Sequence, residues 1–158
     1  MAAVEEALLA VDLGLSTGLA LYGQSGRLRW YRSKHFGSAA RLRRAARQLL
    51  AEIPDLSRLV VEGSSPLADI WLREAERRQI AVRQISAEDW RRVLLYPRQQ
   101  RSGQQAKQTA DEIARRIIDW SGAPRPTALR HDTAEAILIG LWGVLEIGWL
   151  DSLPAEVR

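Results

Sequence analysis

The sequence contains no cysteine, which excludes disulfide frameworks, thiolate metal sites and cysteine nucleophiles. Histidine is almost as scarce: His35 and His131 are the only two, and they lie too far apart in sequence to form a His-rich zinc site. No run of about eighteen apolar residues is present, and residues 1–6 lack the basic start of a signal peptide. A soluble, cytoplasmic protein is expected. Lysine occurs only at positions 34 and 107, and methionine only at position 1, so the positive charge is carried by arginine. That bias fits a GC-rich genome or a hot environment.

What is present organises itself around one carboxylate. In the stretch LLAVDLGLSTGLALY, residues 8–22, a short apolar run of the kind buried on both sheet faces ends in Asp12. A turn signal follows over residues 14–18, and residues 19–22 read as a second strand running back beside the first. An ionised Asp beside a buried strand is costly unless it is paired, sits on a metal or bonds the backbone of a tight turn.

Further along, GQSG at 23–26 is a hairpin turn, and RLRWYR at 27–32 alternates basic and apolar residues as an edge strand does. Residues 38–53 carry apolar side chains at helical spacing behind a capping Ser38, and Pro54 ends the pattern. LSRLVVEG, residues 56–63, is again a short apolar strand closing on an acid, Glu62. The spacing then predicts a helix over 66–79, a fifth strand over 80–85 and a capped helix from Ser86. A basic loop over 96–103, a helix over 104–120, a Pro-rich connector and an almost wholly apolar helix over 131–148 complete the chain.

With 158 residues this amounts to one domain, 7–150, with short tails at 1–6 and 151–158. Three strands in hairpin order followed by strands entered through helices predict an α/β fold, a mixed five-stranded sheet flanked by helices. Strand four belongs beside strand one and parallel to it, which makes Asp12 and Glu62 neighbours. Asp132 and Glu135, three apart at the start of the last helix, share a face. They fit a capping box, and they equally fit a metal pair. Brought together, the four acids form a cluster whose repulsion calls for divalent cations. Oxygen-only donors favour Mg²⁺ or Mn²⁺, and two ions per site would suit hydrolysis of a phosphodiester.

The charge distribution points to nucleic acid. The formal net charge is +4, but the basic residues are grouped. Between residues 25 and 48 stand Arg27, Arg29, Arg32, Lys34, Arg41, Arg43, Arg44 and Arg47 without an acid among them. Between 90 and 108 stand Arg91, Arg92, Arg98, Arg101 and Lys107, again without one. Such patches give phosphate contacts that are largely independent of base sequence. Trp30, Tyr31, Phe36, Trp90 and Tyr96 near them suit either core packing or stacking on unpaired bases, whereas Trp71 and Trp142 read as packing residues.

The VDLG and STG motifs (Asp12, Thr17, Gly18), VVEG (Glu62) and HDTAEA (Asp132, Glu135), in this order and spacing over residues 8–149, resemble the RuvC-type Holliday junction resolvases of the ribonuclease H-like superfamily. The resemblance implies that Asp12, Glu62, Asp132 and Glu135 carry the metals, with His131 a possible further ligand. RuvC proteins of bacteria usually end in Asp-x-x-Asp, so Glu135 and the Trp90-Arg91-Arg92 helix point to a divergent branch. In that branch a lysine after the basic loop lies near the scissile phosphate, a place taken here by Lys107, which otherwise reads as a solvated helix residue. The expected function is paired, symmetrical nicking of four-way DNA junctions in recombination and repair, by a nucleoid-associated homodimer whose two-fold axis matches the junction. Leu67, Ile70, Trp71 and Leu72 are candidates for the dimer surface or for core. A ribonuclease H-like nuclease acting on RNA–DNA hybrid or single strands, and a non-catalytic junction-binding module, are the alternatives.

Overall fold

A computed structural model describes residues 5–158, so most of the expected N-terminal tail, 1–6, lies outside the described residues. Five strands form one sheet: β1 (Ala7–Asp12), β2 (Ser16–Gly23), β3 (Leu28–His35), β4 (Leu56–Glu62) and β5 (Ala81–Ile85). Their spatial order is β3-β2-β1-β4-β5, with β1–β2 and β2–β3 antiparallel and β1–β4 and β4–β5 parallel. This is the mixed sheet expected from the order of elements.

Side chains alternate across the central strands because the strand period is two. Ala7, Leu9 and Val11 of β1, with Leu59 and Val61 of β4, face one core shared with α1 (Ala39–Glu52) and α2 (Ala68–Arg77). Leu8 and Ala10, with Val60, face the other core, under α3 (Ala87–Leu94), α4 (Gly103–Ser121) and α5 (His131–Glu146). By the same alternation, Asp12 and Glu62 turn toward the α5 face.

Helix α5 is buried from Thr133 to Val144 and lies over β1 and β2. Two glycines allow the approach. A Cβ at Gly18 of β2 would stand 1.9 Å from the carbonyl oxygen of Asp132, and one at Gly140 would stand 2.2 Å from the Tyr22 ring. The first turn of α5 is thereby seated on the strand end next to Asp12, whose register partner in β2 is Gly18.

Several local expectations are corrected. Strand β2 begins at Ser16, not Leu19: Thr17 is fully buried and its hydroxyl donates to the Gly14 carbonyl at 2.5 Å, so the ladder reaches into the segment read as a turn. Helix α2 runs from Ala68 to Arg77 inside the expected 66–79, preceded by a turn in which the Ala68 N–H donates to the Ser65 carbonyl. Trp90 is fully buried in the α5-side core, which removes it from the stacking candidates. Of the apolar candidates for a dimer surface, Ile70 and Trp71 of α2 are buried in the core shared with α1, while Leu67, just before the helix, is half-buried. Val157 is buried and packs with the α5-side core. Among the described residues no helix is long and apolar enough to cross a membrane.

Candidate active site

The site is built where β1 and β4 end together. Asp12 and Glu62 are Cα partners across the parallel pair, and Glu135, 8% exposed, reaches them from α5. One carboxylate oxygen from each of the three lies within 4.8 Å of the others. Asp12 and Glu62 hydrogen-bond through their side chains.

Burial pushes the Asp12 carboxyl up to about 9, reinforced by its hydrogen bond to Glu62 and by the charges of Glu135, Glu62 and Asp132. Burial also raises Glu62, as does the charge of Glu135, while its bond to Asp12 and the Arg91 guanidinium act in the opposite direction. Glu135 takes Arg91 Nη2 at 3.5 Å and His131 Nε2 at 3.0 Å on the same oxygen, Oε1. The Arg91 guanidinium is the one permanent cation paired with the three clustered carboxyl groups, so the site can ionise fully only with further positive charge. The donor set is oxygen only and converges on one point, so it fits a hard divalent cation such as Mg²⁺ or Mn²⁺.

Asp132 is close enough to raise Asp12 by its charge, but its carboxylate is turned to hydroxyls. Oδ2 accepts from Ser33 Oγ at 2.9 Å and from Ser16 Oγ at 3.3 Å, and Oδ1 accepts from the Thr133 N–H at 2.7 Å and its hydroxyl at 3.2 Å. The capping-box alternative does not hold: the N-cap of α5 is Arg130, without a side-chain cap bond, and Glu135 faces the acid cluster. Three of the four expected acids therefore converge, and the fourth is held beside them by β2 and β3.

The sequence reading missed the places of Arg91, Ser16 and Ser33. Arg91 reads in sequence as part of a basic patch and of the Trp90-Arg91-Arg92 helix, yet it enters the carboxylate site, and its Nε is buried without a hydrogen-bond partner. Lys107 is exposed on the second turn of α4.

The basic candidates divide by what they touch. Arg29 bridges to Asp55 at 2.9 Å and Glu5 at 3.6 Å, so the acid-free run in sequence is neutralised there in space. Arg27 donates to the Trp120 carbonyl and lies over that ring, tying β3 to α4. Arg92 pairs with Asp89 at 3.3 Å. Arg32 packs on Trp30 and Arg98 on Tyr96. Lys34, Arg41, Arg44 and Arg101 are exposed.

No family model and no curated protein matches the sequence. Solved structures do match the fold. Thermus thermophilus RuvC in complex with a Holliday junction substrate superposes with a TM-score of 0.64 at 15% identity, over 90% of this chain and 96% of that one. A second Thermus thermophilus RuvC structure gives 0.63 at 14% identity over the same shares. The yeast mitochondrial Holliday junction resolvase Ydc2 gives 0.53 at 14% identity, over 91% of this chain and 81% of that one. The chain thus shares the ribonuclease H-like fold of RuvC-type Holliday junction resolvases, the fold that its motifs resemble.

Proposed function

We propose that the chain is a metal-dependent endonuclease that resolves four-way DNA junctions by paired nicks, acting as a homodimer. The observation that carries this reading is the convergence of Asp12, Glu62 and Glu135 within 4.8 Å, on a fold shared with two RuvC structures and a mitochondrial resolvase. A raised Asp12 carboxyl at the mouth of a sheet serves no packing purpose, and burying three acids together is unfavourable without a cation.

Asp12, Glu62 and Glu135 would hold Mg²⁺, with Asp132 the further acid for a second ion. Bound there, the ions would supply an activated water and charge stabilisation at the departing oxygen of the phosphodiester. The protein's own part is positional. Parallel pairing of β1 and β4 fixes two carboxylates rigidly, and α5 delivers the third from a helix pinned by Gly18 and Gly140. Arg91, on Glu135, stands where it can draw a phosphate oxygen toward the acids. Lys107 is assigned to the same phosphate, and Lys34, Arg41, Arg44, Arg98 and Arg101 to the arms of the junction. Paired nicks need two such sites related by a two-fold axis, hence the homodimer.

The test is cleavage of a labelled synthetic four-way junction beside linear duplex and RNA–DNA hybrid. Symmetrical cuts in the junction alone support the proposal. Cutting of the hybrid alone moves the substrate while keeping the site, and binding without cutting under any divalent metal leaves a junction-binding module.

A further inference from the structure

A second concave feature lies on the α3–α4 side of the molecule. It encloses about 390 Å³ between the end of α3, the 3₁₀ turn Pro97–Gln100, α4 and the C-terminal segment, within the range of ligand-sized pockets. Val93 and Tyr96, 50% and 61% exposed, both line it, and they are the two large apolar side chains exposed among the described residues. Leu94 and Leu95, buried beside them, form a rigid apolar floor. The Tyr96 N–H donates to Gln99 Oε1 at 2.8 Å, which fixes the turn that carries the ring.

Arginines and no carboxylate side chain line this apolar hollow: Arg92, Arg116 and Arg158. Arg98 lies over the Tyr96 ring at 5.1 Å from its centroid. Arg92 is partly engaged by Asp89, whereas Arg116 makes no ion pair among the described residues. A flat aromatic face beside guanidinium groups, one of them free of any ion pair among the described residues, is complementary to a base attached to phosphate. Helix α3 links this hollow to the acid cluster, since Arg91, one residue before Arg92, touches Glu135.

We propose that the pocket takes one unpaired nucleotide of the DNA substrate, its base on Tyr96 and its phosphate between Arg92 and Arg116. The proposal rests on reading the acid cluster as a DNA nuclease site, and it adds a subsite, outside that cluster, that holds an extruded base of the same substrate. Tyr96 is the specificity-determining side chain, because its exposed ring offers a stacking partner to a base that is not already stacked within a duplex.

The experiment uses the full chain and four-way junctions carrying 2-aminopurine at successive positions around the branch point, with Ca²⁺ in place of Mg²⁺ so that binding is read apart from cutting. The expected result is a fluorescence rise at one position with the wild type, lost with Tyr96→Ala and kept with Tyr96→Phe. Junction affinity should fall about five- to a hundred-fold for Tyr96→Ala, and Arg116→Ala should reduce the slope of log affinity against log salt by about one. A wild type that binds and cuts the junction, with both alanine variants within two-fold of it and an unchanged fluorescence pattern, overturns the subsite and leaves the nuclease reading intact. A wild type that neither binds nor cuts the junction overturns both. Dissociation of a dimer by Val93→Asp, or an acidic peptide binding the wild type but not Arg116→Ala while junction binding is unchanged, overturns the subsite by giving the pocket to a protein surface.

Discussion

Asp12 and Glu62 stand side by side as register partners on parallel strands, hydrogen-bonded to each other, with Asp12 pushed up to about 9 by burial and by its acidic neighbours. Two apolar runs, each closing on an acid, are enough to produce this pairing once β4 crosses over to lie beside β1.

The pairing has a pH signature. The folded state holds a proton on Asp12 that the unfolded chain releases near the ordinary value of 3.8. Between that value and about 9 the native state binds more protons, so stability falls as pH rises, and the loss is complete above about 9. Thermal melts of metal-free protein from pH 5 to 9 should show a declining Tm, and saturating Mg²⁺ should flatten the decline. A metal-free Tm that rises with pH over this range contradicts the raised carboxyl.

Asp12→Asn removes that burden. Metal-free stability should rise by about 0.5–2 kcal/mol, as replacements at strained functional sites often give, and the Tm increase on adding Mg²⁺ should disappear. Denaturant unfolding with and without Mg²⁺ reads both effects.

Asp132 should respond in the opposite sense. Its carboxylate accepts from two serine hydroxyls, a backbone N–H and a threonine hydroxyl, and an amide offers one acceptor oxygen for them. Asp132→Asn should therefore lower stability by about 1 kcal/mol, even as it impairs cleavage. Ser33→Ala should lower cleavage while leaving stability within about 1 kcal/mol of wild type. A purely metal-ligating Asp132 would instead leave stability equal or higher when replaced.

Much of this was legible in the sequence. Apolar strands ending at Asp12 and Glu62, turn residues between β2 and β3, and the apolar face of α5 carry local signals that survive folding. The hydroxyl cradle around Asp132 carried none, because Ser33 lies 99 residues away along the chain and meets it only once α5 crosses β3. Arg91 and Arg92 are adjacent and alike in sequence, yet the helical period sends one to Glu135 and the other to Asp89. Arg29, within an acid-free stretch, is neutralised by Asp55 across the fold.

Gly18 joins fold to site. A methyl group there meets the Asp132 carbonyl at 1.9 Å, so α5 must shift. Gly18→Ala should cost about 1–3 kcal/mol and weaken Mg²⁺ binding by withdrawing Glu135 from the cluster. Calorimetric titration beside thermal melts checks both.

The most direct test is cutting of a four-way junction by wild type and Asp12→Asn, each with Mg²⁺ and with chelator. Symmetrical nicks that need Mg²⁺ and vanish in Asp12→Asn, while the variant still melts cooperatively and binds the junction, are the expected result. Equal cutting by the two proteins, or cutting that persists in chelator, would contradict a metal site built on Asp12, Glu62 and Glu135.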